Sequence, residues 1–344
     1  MRYLLVVFIL TLRFGAPALA LGDSASAATA ARAGDPIAKD PPAGLVPDNL
    51  LLVGNASFHP PYLFVADKEA RTLTIWGHEG STVKLVGSYP MDIGKNSGDK
   101  VSNGDAKTPE GIYFIQDRLE TANTNYEDYG IRAFPLDYPN FFDRFAGKSG
   151  SGIWLHAIPE TKSLLRGSRG CVVVRNEIIT KITSMINVKR TPVIITDKVN
   201  YITPEELARQ GQEAKDWLES WRASWANKDI DNYISHYADN YKGQYKKLKM
   251  NKAQWRSYKA FLNKQYKTIS VTVRDPVIIS RKDEAIIHFI QDYKSAGIND
   301  SGEKTLFVKR NPAGKFEILT EVWGTLGHDV IDEKGDTISA EAKR

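Results

Sequence analysis

The chain has 344 residues, of which 42% are hydrophobic and 25% are charged, and its formal net charge at pH 7 is +5. The length allows two domains of ordinary size, and the balance of apolar and charged residues is that of a soluble globular protein. The composition therefore argues against a bundle of membrane-spanning helices and against a disordered chain.

The first twenty residues have the layout of a secretory signal peptide. Arg2 is followed by the short apolar run of residues 3–12, and residues 18–20 (Ala-Leu-Ala) form a small-x-small cleavage site. The apolar run is too short to span a bilayer. The alternative to a signal peptide is an uncleaved anchor, and it stays open because Arg13 interrupts the apolar run. We expect an exported protein, periplasmic or in the cell envelope, with no membrane span after cleavage. Cleavage removes both arginines and no acid, which lowers the net charge from +5 to +3.

The stretch from residue 21 to residue 47 is rich in Ala, Gly, Asp and Pro and has no apolar periodicity, which predicts a flexible linker. A first folded domain is predicted over residues 48–200. Short strands in direct succession favour an antiparallel meander over a β-α-β unit at its start. Apolar runs bounded by polar turns predict these strands over Tyr62–Ala66, Thr72–Trp76 and Thr82–Tyr89.

The middle of this domain is less regular. A polar loop, residues 94–107, leads through Thr-Pro-Glu-Gly at 108–111 into a predicted strand over Ile112–Gln116. Residues 119–148 are polar and aromatic, which is typical of a lid or of a groove wall. The alternative is a packed insertion that supplies core aromatics, namely Tyr126, Tyr129, Phe134, Tyr138, Phe141 and Phe142. A predicted helix and a predicted strand complete the domain, over Glu177–Asn187 and Pro192–Thr196.

A second domain is predicted over residues 203–327, followed by a frayed tail over residues 328–344. Its first helix begins at Thr203, which caps it, and Pro204 occupies the first turn. Trp217, Trp221 and Trp225 recur every four residues, so one face of this helix is strongly apolar. Helices followed by an antiparallel sheet give an α+β layout. The further helices are predicted over Ile230–Tyr241 and Lys252–Tyr266, and the strands over Ile269–Arg274, Glu284–Tyr293, Lys304–Arg310 and Phe316–Trp323.

Cys171 is the only cysteine of the chain and directly follows Gly170. An exported chain meets an oxidising compartment in which cysteines normally pair, and a single cysteine cannot pair within its own chain. Its presence therefore indicates either an inert, deeply buried side chain or a reactive nucleophile. The cysteine count alone does not decide between them.

His156 is the histidine nearest to Cys171 in sequence. A cysteine attacks as the thiolate, so it needs a neighbouring base or positive charge to lower its pKa. If the two residues lie on adjacent strands, their side chains meet, and the backbone N–H groups of Gly170 and Cys171 are candidates to stabilise an oxyanion. The alternative for His156 is a core histidine with a structural hydrogen bond. No pair of histidines has metal-ligand spacing, and we expect neither a metal nor another cofactor.

Residues 60–197 resemble the catalytic domain of the L,D-transpeptidase family, also called the YkuD domain. The Thr-Pro-Glu-Gly element at 108–111 matches the family's Thr-Pro-x-Gly element. The resemblance implies a mainly β catalytic domain, a YkuD-type β-sandwich with short helices. Five residues match the family's signature of histidine, spacer, Ser/Thr-His-Gly-Cys and asparagine, namely His156, Ser168, Gly170, Cys171 and Asn176.

The function implied by this resemblance is acyl transfer on peptidoglycan stem peptides. Cys171 would attack the carbonyl of the third stem residue, usually diaminopimelate, at its bond to D-alanine, with His156 as general base and Gly170 in the oxyanion turn. An amine acceptor gives a 3-3 cross-link, the L,D-transpeptidase reaction. Water gives a tripeptide, the L,D-carboxypeptidase reaction. The family includes exported L,D-carboxypeptidases that control cell shape and have a similar two-domain architecture.

Two positions depart from the family's pattern. Arg169 stands where a second histidine is usual, and Val173 replaces the arginine common two residues after the cysteine. These departures leave nucleophile and base intact, and they motivate a non-catalytic cell-wall binding protein as a further alternative. The residues expected to contact substrate are Ser168, Arg169, Arg175 and Asn176. The two arginines would bind stem-peptide carboxylates or, as the alternative, form surface salt bridges only.

The stretch from Trp217 to Tyr241 and the strands after it resemble NTF2-like domains. This implies an α+β domain in which a bent sheet and helices surround a pocket, a fold that hosts unrelated activities. The resemblance allows a homodimer through this domain or the binding of a cell-wall fragment. The lysine-rich run over residues 242–252 either touches an anionic polymer or forms a solvated face. No nucleic-acid partner is expected.

Overall fold

The computed structural model describes residues 34–54, 59–245 and 248–323, without the side chains of residues 244 and 245. The predicted signal peptide at 1–20, the first part of the predicted linker and the predicted tail at 328–344 lie outside these residues. Within them, no helix is both long enough and apolar enough to cross a membrane.

The described part of the chain up to residue 202 is built mainly of short strands. They are β1 (Val46–Pro47), β2 (Tyr62–Asp67), β3 (Thr72–Glu79), β4 (Thr82–Pro90), β5 (Gly111–Phe114), β6 (Leu119–Glu120), β7 (Arg132–Pro135), β8 (Trp154–Ile158), β9 (Val172–Arg175), β10 (Pro192–Thr196) and β11 (Tyr201–Ile202). The helices are α1 (Tyr126–Tyr129), α2 (Phe141–Phe145) and α3 (Asn176–Thr183), with a 3-10 turn at Thr121–Asn123. The predicted opening meander is confirmed, and the helix predicted over Glu177–Asn187 is shorter at its end.

Two sheets of this region share one core. One sheet has five strands in the order β4-β3-β2-β10-β5, and the other has four strands in the order β6-β7-β8-β9. This mainly β arrangement confirms the predicted fold class of the first domain. Buried side chains of both sheets and of α3 belong to one hydrophobic cluster, among them Phe64, Ile75, Ile195, Leu155, Val174 and Ile178.

The aromatic segment 119–148 combines both of its predicted alternatives. Phe134, Tyr138, Phe141 and Phe142 are buried, as expected of an insertion that supplies core aromatics. α1 instead lies against β8 at the surface, with Tyr126 exposed and Tyr129 half-buried. The segment therefore fills the core with one part and forms a wall beside β8 with the other.

The described C-terminal region has the predicted α+β layout. A four-stranded antiparallel sheet in the order β14-β15-β16-β17 packs against α4, whose first turn is capped by the Thr203 side chain. Trp221 and Trp225 are buried on the face that the sequence predicts. The elements are α4 (Pro204–Ala226), α5 (Ile230–Ser235), β12 (Gly243–Tyr245), β13 (Leu248–Met250), α6 (Lys252–Gln265), β14 (Ile269–Arg281), β15 (Glu284–Ser295), β16 (Ile298–Arg310) and β17 (Phe316–Trp323).

Three boundaries in this region differ from the prediction by more than two residues, and one of them is the start of β16, at Ile298 rather than Lys304. The helix predicted to reach Tyr241 ends at Ser235, because the backbone N–H of Ala238 donates to the carbonyl of Ile318 on β17 instead of continuing the helix. The strand predicted to end at Arg274 continues to Arg281. A bulge between Arg274 and Val277 takes up Asp275 and Pro276, and pairing with β15 resumes at Val277.

Glu110, in the Thr-Pro-Glu-Gly element, joins the two regions. Its buried carboxylate accepts hydrogen bonds from Lys68 Nζ at 3.2 Å, from Arg281 Nη2 at 2.8 Å and from Lys282 Nζ at 3.1 Å. Lys68 belongs to the first region, whereas Arg281 ends β14 and Lys282 follows it. The loop before β5 is therefore held in part by the C-terminal region.

Candidate active site

The parallel strands β8 and β9 place the predicted nucleophile and base on one face of their sheet. Leu155 pairs with Val172 and His156 with Val173, so the two strands are adjacent, which is the condition that the sequence left open. Because side chains alternate along a strand, the face that carries His156 also carries Val173 and, two residues earlier, Cys171. The other face packs into the core between the sheets. Cys171 and His156 are therefore diagonal neighbours, one strand spacing of about 4.8 Å across and two residues along.

Cys171 lies immediately before β9 and is buried, with 8% of its surface exposed. Its Sγ donates to the carbonyl oxygen of Gly152 at 3.6 Å. Burial raises the pKa of the thiol, and a backbone hydrogen bond from Trp154 and the positive charges of Arg169 and Arg166 oppose this only in part. The resting side chain is thus a protonated thiol at neutral pH, and the lowered pKa that a neighbouring base suggested is not found.

His156 is buried in the middle of β8. Its Nδ1 lies 2.7 Å from the carbonyl oxygen of Ala157. A carbonyl can only accept, so Nδ1 carries the proton and Nε2 of the neutral ring is left as a proton acceptor. Burial lowers the pKa of His156 to about 4, helped by the charge of Arg166 and opposed by the Ala157 hydrogen bond and by Asp128. The ring is therefore neutral near pH 7, which is the state a general base requires.

Ser168 and Gly170 build the turn that carries the cysteine. The Ser168 hydroxyl accepts from the Gly170 N–H at 3.0 Å and donates to the Cys171 carbonyl at 2.7 Å. Gly170 has φ +129°, and a Cβ added there would lie 2.6 Å from the Lys107 carbonyl oxygen. Only glycine fits this position without strain. The Gly170 N–H, predicted as an oxyanion donor, is already used inside the turn.

A second loop, which contains Asp92 and Gly94, holds this turn in place. Asp92, fully buried, accepts from the Gly167 N–H at 2.8 Å and pairs with Arg71 at 2.5 Å. The Gly94 N–H donates at 2.8 Å to the hydroxyl of Thr108, the first residue of the Thr-Pro-Glu-Gly element. The Thr-Pro-Glu-Gly element is therefore hydrogen-bonded to the loop that holds the turn of Cys171.

Arg169 and Asn176, predicted to contact substrate, both contact the segment around α1. The Arg169 guanidinium is exposed and lies 3.5 Å from the Tyr129 hydroxyl. Asn176 is buried, and its Oδ1 accepts from the Ile131 N–H at 3.0 Å. Arg169 keeps access to the solvent-facing side of the site, whereas Asn176 holds the chain that follows α1.

Arg175 does not face the solvent. Its Nε donates to Asp35 at 2.8 Å, its Nη2 also pairs with Asp35, and its Nη1 donates to the carbonyls of Pro159 and Lys162 at 3.2 and 2.8 Å. Neither alternative suggested by the sequence describes this buried ion pair. A substrate carboxylate would reach Arg175 only if Asp35 moved away. Asp35 belongs to the stretch predicted as a linker, so the described end of that stretch is anchored beside β9.

Two aromatic residues next to His156 were not predicted as site residues. The Tyr129 ring lies 4.8 Å from that of Trp154 and 5.0 Å from that of His156, centroid to centroid. Trp154 precedes His156 by two residues on a strand, so alternation alone could have placed it on the same face. Tyr129 had no such signal, because its contact depends on how α1 packs on β8. Among the described residues, no three His, Cys, Asp or Glu side chains are grouped as metal ligands would be.

Comparison with known families gives two matches that divide the chain. The L,D-transpeptidase catalytic domain, YkuD, matches residues 61–195. The NTF2-like domain found at the C-terminus of Cds6 matches residues 213–322.

Comparison with individual proteins gives two structures that are similar over most of the chain and one protein that is similar over about a third of it. The structure of Bd1075 from Bdellovibrio bacteriovorus is 38% identical with a TM-score of 0.75, over 82% of this chain and 98% of that one. The structure of the helical cell shape determining protein Pgp2 from Campylobacter jejuni is 26% identical with a TM-score of 0.62, over 80% and 95%. YafK of Escherichia coli K12, which carries the name of an L,D-transpeptidase, is 28% identical over 120 residues. That match spans 35% of this chain and 44% of YafK.

Proposed function

Because this chain belongs to the L,D-transpeptidase family, with a YkuD catalytic domain followed by an NTF2-like domain, we propose that it is a cysteine acyltransferase acting on peptidoglycan stem peptides. The observation that carries the proposal is the pairing of β8 with β9, which puts His156 and Cys171 on one face of the sheet. We propose further that the protein is exported and works in the cell envelope, where this polymer lies.

In the proposed reaction, Nε2 of His156 takes the proton of the Cys171 thiol as the sulfur attacks the carbonyl carbon of the third stem residue. The tetrahedral intermediate collapses with cleavage of the C–N bond to D-alanine, and the imidazolium returns the proton to the leaving amine. The product is a thioester between Cys171 and the third residue. An incoming amine or water, deprotonated by the same imidazole, then releases the acyl group.

The resting state of the pair supports general-base attack rather than a preformed ion pair. The thiol is protonated because burial raises its pKa, and the imidazole is neutral because burial lowers its pKa to about 4. Proton transfer and attack therefore have to be coupled. A resting thiol of this kind is also protected from oxidation in the envelope, because thiolates are the reactive form.

The oxyanion needs backbone donors, and the turn supports one of the two that the sequence suggests. The Gly170 N–H donates to Ser168, so the Cys171 N–H is the better candidate. In this proposal Gly170 and Ser168 hold the turn in shape, and Arg169 is the cation that remains at the solvent-facing side for a stem-peptide carboxylate. Arg175 has no direct contact with substrate.

The acyl acceptor distinguishes two activities. We propose L,D-transpeptidation, in which the acceptor is an amine, with L,D-carboxypeptidation as the second candidate, in which the acceptor is water. The similarity to a protein named for determining cell shape supports a role in cell shape for this chain as well. Transpeptidation adds 3-3 cross-links and carboxypeptidation shortens stem peptides, so both change the wall and both are consistent with such a role.

The C-terminal domain supports a binding role. A cavity of about 240 Å³ is lined by aromatic and charged side chains, including Trp225, Trp255, Tyr293, Lys259 and Lys304. Aromatic faces and amino groups are suited to sugar and carboxylate groups, and we propose that this cavity holds a fragment of the cell wall. A homodimer through this domain is the other proposal from the sequence.

Incubation of the full chain with purified tetrapeptide muropeptides, followed by mass analysis of the products, tests the proposed function. Dimers with 3-3 links mean transpeptidation, and loss of D-alanine alone means carboxypeptidation. Cys171→Ala and His156→Gln should each lower the rate by about 10⁴-fold or more, since both groups act as one unit. His78→Gln, in the same domain but away from the β8–β9 face, is the matched control. No product from the wild-type chain would leave the non-catalytic wall-binding alternative.

A further inference from the structure

The imidazole of His156 is fixed at one atom by the Ala157 carbonyl, 2.7 Å from Nδ1. This bond sets the tautomer, but a single hydrogen bond does not fix the orientation of the ring plane. A general base has to keep its other nitrogen within hydrogen-bond reach of the thiol. A further contact must therefore hold the ring.

Tyr129 supplies that contact. Its ring meets that of His156 edge to face, at 71° and 5.0 Å between centroids, and that of Trp154 at 43° and 4.8 Å. These are favourable geometries for aromatic pairs. Trp154 and His156 stand two residues apart on the same face of β8, so one tyrosine ring packs against both and covers the outer side of the imidazole.

The position of Tyr129 is built into the fold. Gly130, which follows it, has φ +61°, and a Cβ added there would lie 2.5 Å from Asn176 Oδ1 and 2.6 Å from the Cβ of Ala157. The backbone after α1 thus approaches β8 more closely than any side chain would permit. Asn176 then fixes this approach through the Ile131 N–H. A loosely hinged lid would need neither feature.

The nucleophile turn touches the same ring. Arg169, two residues before Cys171, places Nη2 3.5 Å from the Tyr129 hydroxyl, a long hydrogen bond. The tyrosine is therefore in contact with the strand of the base through its ring and with the turn of the nucleophile through its hydroxyl.

We propose that Tyr129 is a positioning residue for the general base, holding the plane of the His156 imidazole and shielding it from bulk water. This inference rests on the proposed function of the Cys171–His156 pair. The other groups that act on the ring are Asp128 on α1 and Arg166 in the segment between β8 and β9. Neither residue is replaced in the Tyr129 variants, and Tyr129→Phe separates loss of the tyrosine ring from loss of the hydroxyl contact with Arg169.

The test is an NMR titration of the histidine side chains of the full chain, which needs no substrate and does not depend on the proposed reaction. His156 is identified by its absence in His156→Gln. In Tyr129→Ala water reaches the imidazole, so its titration midpoint should rise by at least about one pH unit from near 4 towards the ordinary 6.5. Tyr129→Phe keeps the ring and should titrate as the wild type does, and Tyr129→Leu should fall between the two.

The matched control is Tyr126→Ala, which removes a tyrosine from the same short helix without a ring contact to His156. If it shifts the titration as far as Tyr129→Ala, the effect is a general loosening of α1 and the proposal is overturned. The proposal also fails if Tyr129→Ala leaves the midpoint unchanged, or if Tyr129→Phe moves it as far as alanine does. With an active wild type, the acid limb of kcat/KM should move by the same amount as the NMR midpoint. An inactive wild type would refute the proposed function while leaving the titration informative.

Discussion

The turn that carries Cys171 and the cavity of the C-terminal domain differ in whether their buried polar groups have hydrogen-bond partners. In the turn, the Gly170 N–H, the Ser168 hydroxyl and the Cys171 carbonyl satisfy one another. In the cavity, Oε1 of Gln291 is buried with no hydrogen-bond partner among the described residues. A nucleophile has to be held in place before substrate arrives, whereas a binding pocket can leave an acceptor for the ligand to satisfy. The contrast agrees with the proposal that the first domain carries the chemistry and that the cavity of the C-terminal domain binds a fragment of the cell wall.

The largest effect is expected at the joint between the two regions. Glu110→Gln removes the carboxylate that faces Lys68, Arg281 and Lys282 and leaves three cations without their shared partner. Breaking a buried ion cluster in this way costs about 3–5 kcal/mol, measurable by denaturant unfolding. Glu79→Gln, which breaks the exposed pair with Lys84, should cause no measurable change and serves as the control. Equal stability of both variants would contradict the proposed coupling of the domains.

The same substitution has an expected dependence on pH. Burial alone would raise the pKa of Glu110, but the cations at Lys68, Lys282 and Arg281 hold it below its ordinary value of 4.5. A lowered pKa means that the carboxylate stabilises the fold above its unfolded pKa and loses this contribution as pH falls through the folded pKa. The stability difference between wild type and Glu110→Gln should therefore be full near pH 7 and shrink below about pH 4.5.

A smaller effect is expected within the turn. Ser168→Ala leaves the buried Gly170 N–H and Cys171 carbonyl without the hydroxyl that links them, at a cost of about 1–3 kcal/mol. Because the misplaced group is the nucleophile, kcat should fall while KM stays similar. Ser163→Ala, an exposed serine in the same segment, is the matched control. A wild-type kcat in Ser168→Ala would mean that the turn is held by other contacts.

The smallest effect should have the opposite sign. Gln291→Leu replaces a buried acceptor, which has no partner within residues 34–54, 59–245 and 248–323, by an apolar group of similar size. The stability of the protein should therefore stay within about 1 kcal/mol of wild type and tend to increase. Thermal unfolding of the two proteins measures this. A clear loss of stability in Gln291→Leu would mean that the Gln291 side chain makes a stabilising contact after all, and the contrast with the Cys171 turn would not hold.

The sequence points to Cys171 and His156 more directly than to the residues around them. A lone cysteine after a glycine, a histidine in an apolar run and the Thr-Pro-Glu-Gly element depend on local chemistry, which is visible in the residues themselves. The strand and helix patterns of residues 62–89 and 203–226 depend on periodicity and capping, and these also follow from the sequence. The parallel pairing of β8 with β9 does not, because both pairing directions have the same alternation.

Other features depend on contacts between distant residues. The ion pair of Arg175 with Asp35 joins two segments with no common sequence pattern, so the arginine could only be read as a surface or substrate cation. The ring contact of Tyr129 with His156 depends on the close approach of the backbone at Gly130 to β8. A glycine in the sequence does not by itself predict such an approach. The early end of α5 is set by Ile318 on β17, far along the chain.

Parallel pairing of β8 and β9 also constrains how the site can change in evolution. Strands that run in the same direction need a connection that returns from the end of one to the start of the next. In this protein residues 159–171 form that connection, and they carry Arg166, Arg169 and the nucleophile turn. Insertions or deletions before Gly167 would remodel the rim of the site while the strand register keeps Cys171 beside His156. The part of the crossover before Gly167 is thus where the chain can change length without altering the pairing of the two strands.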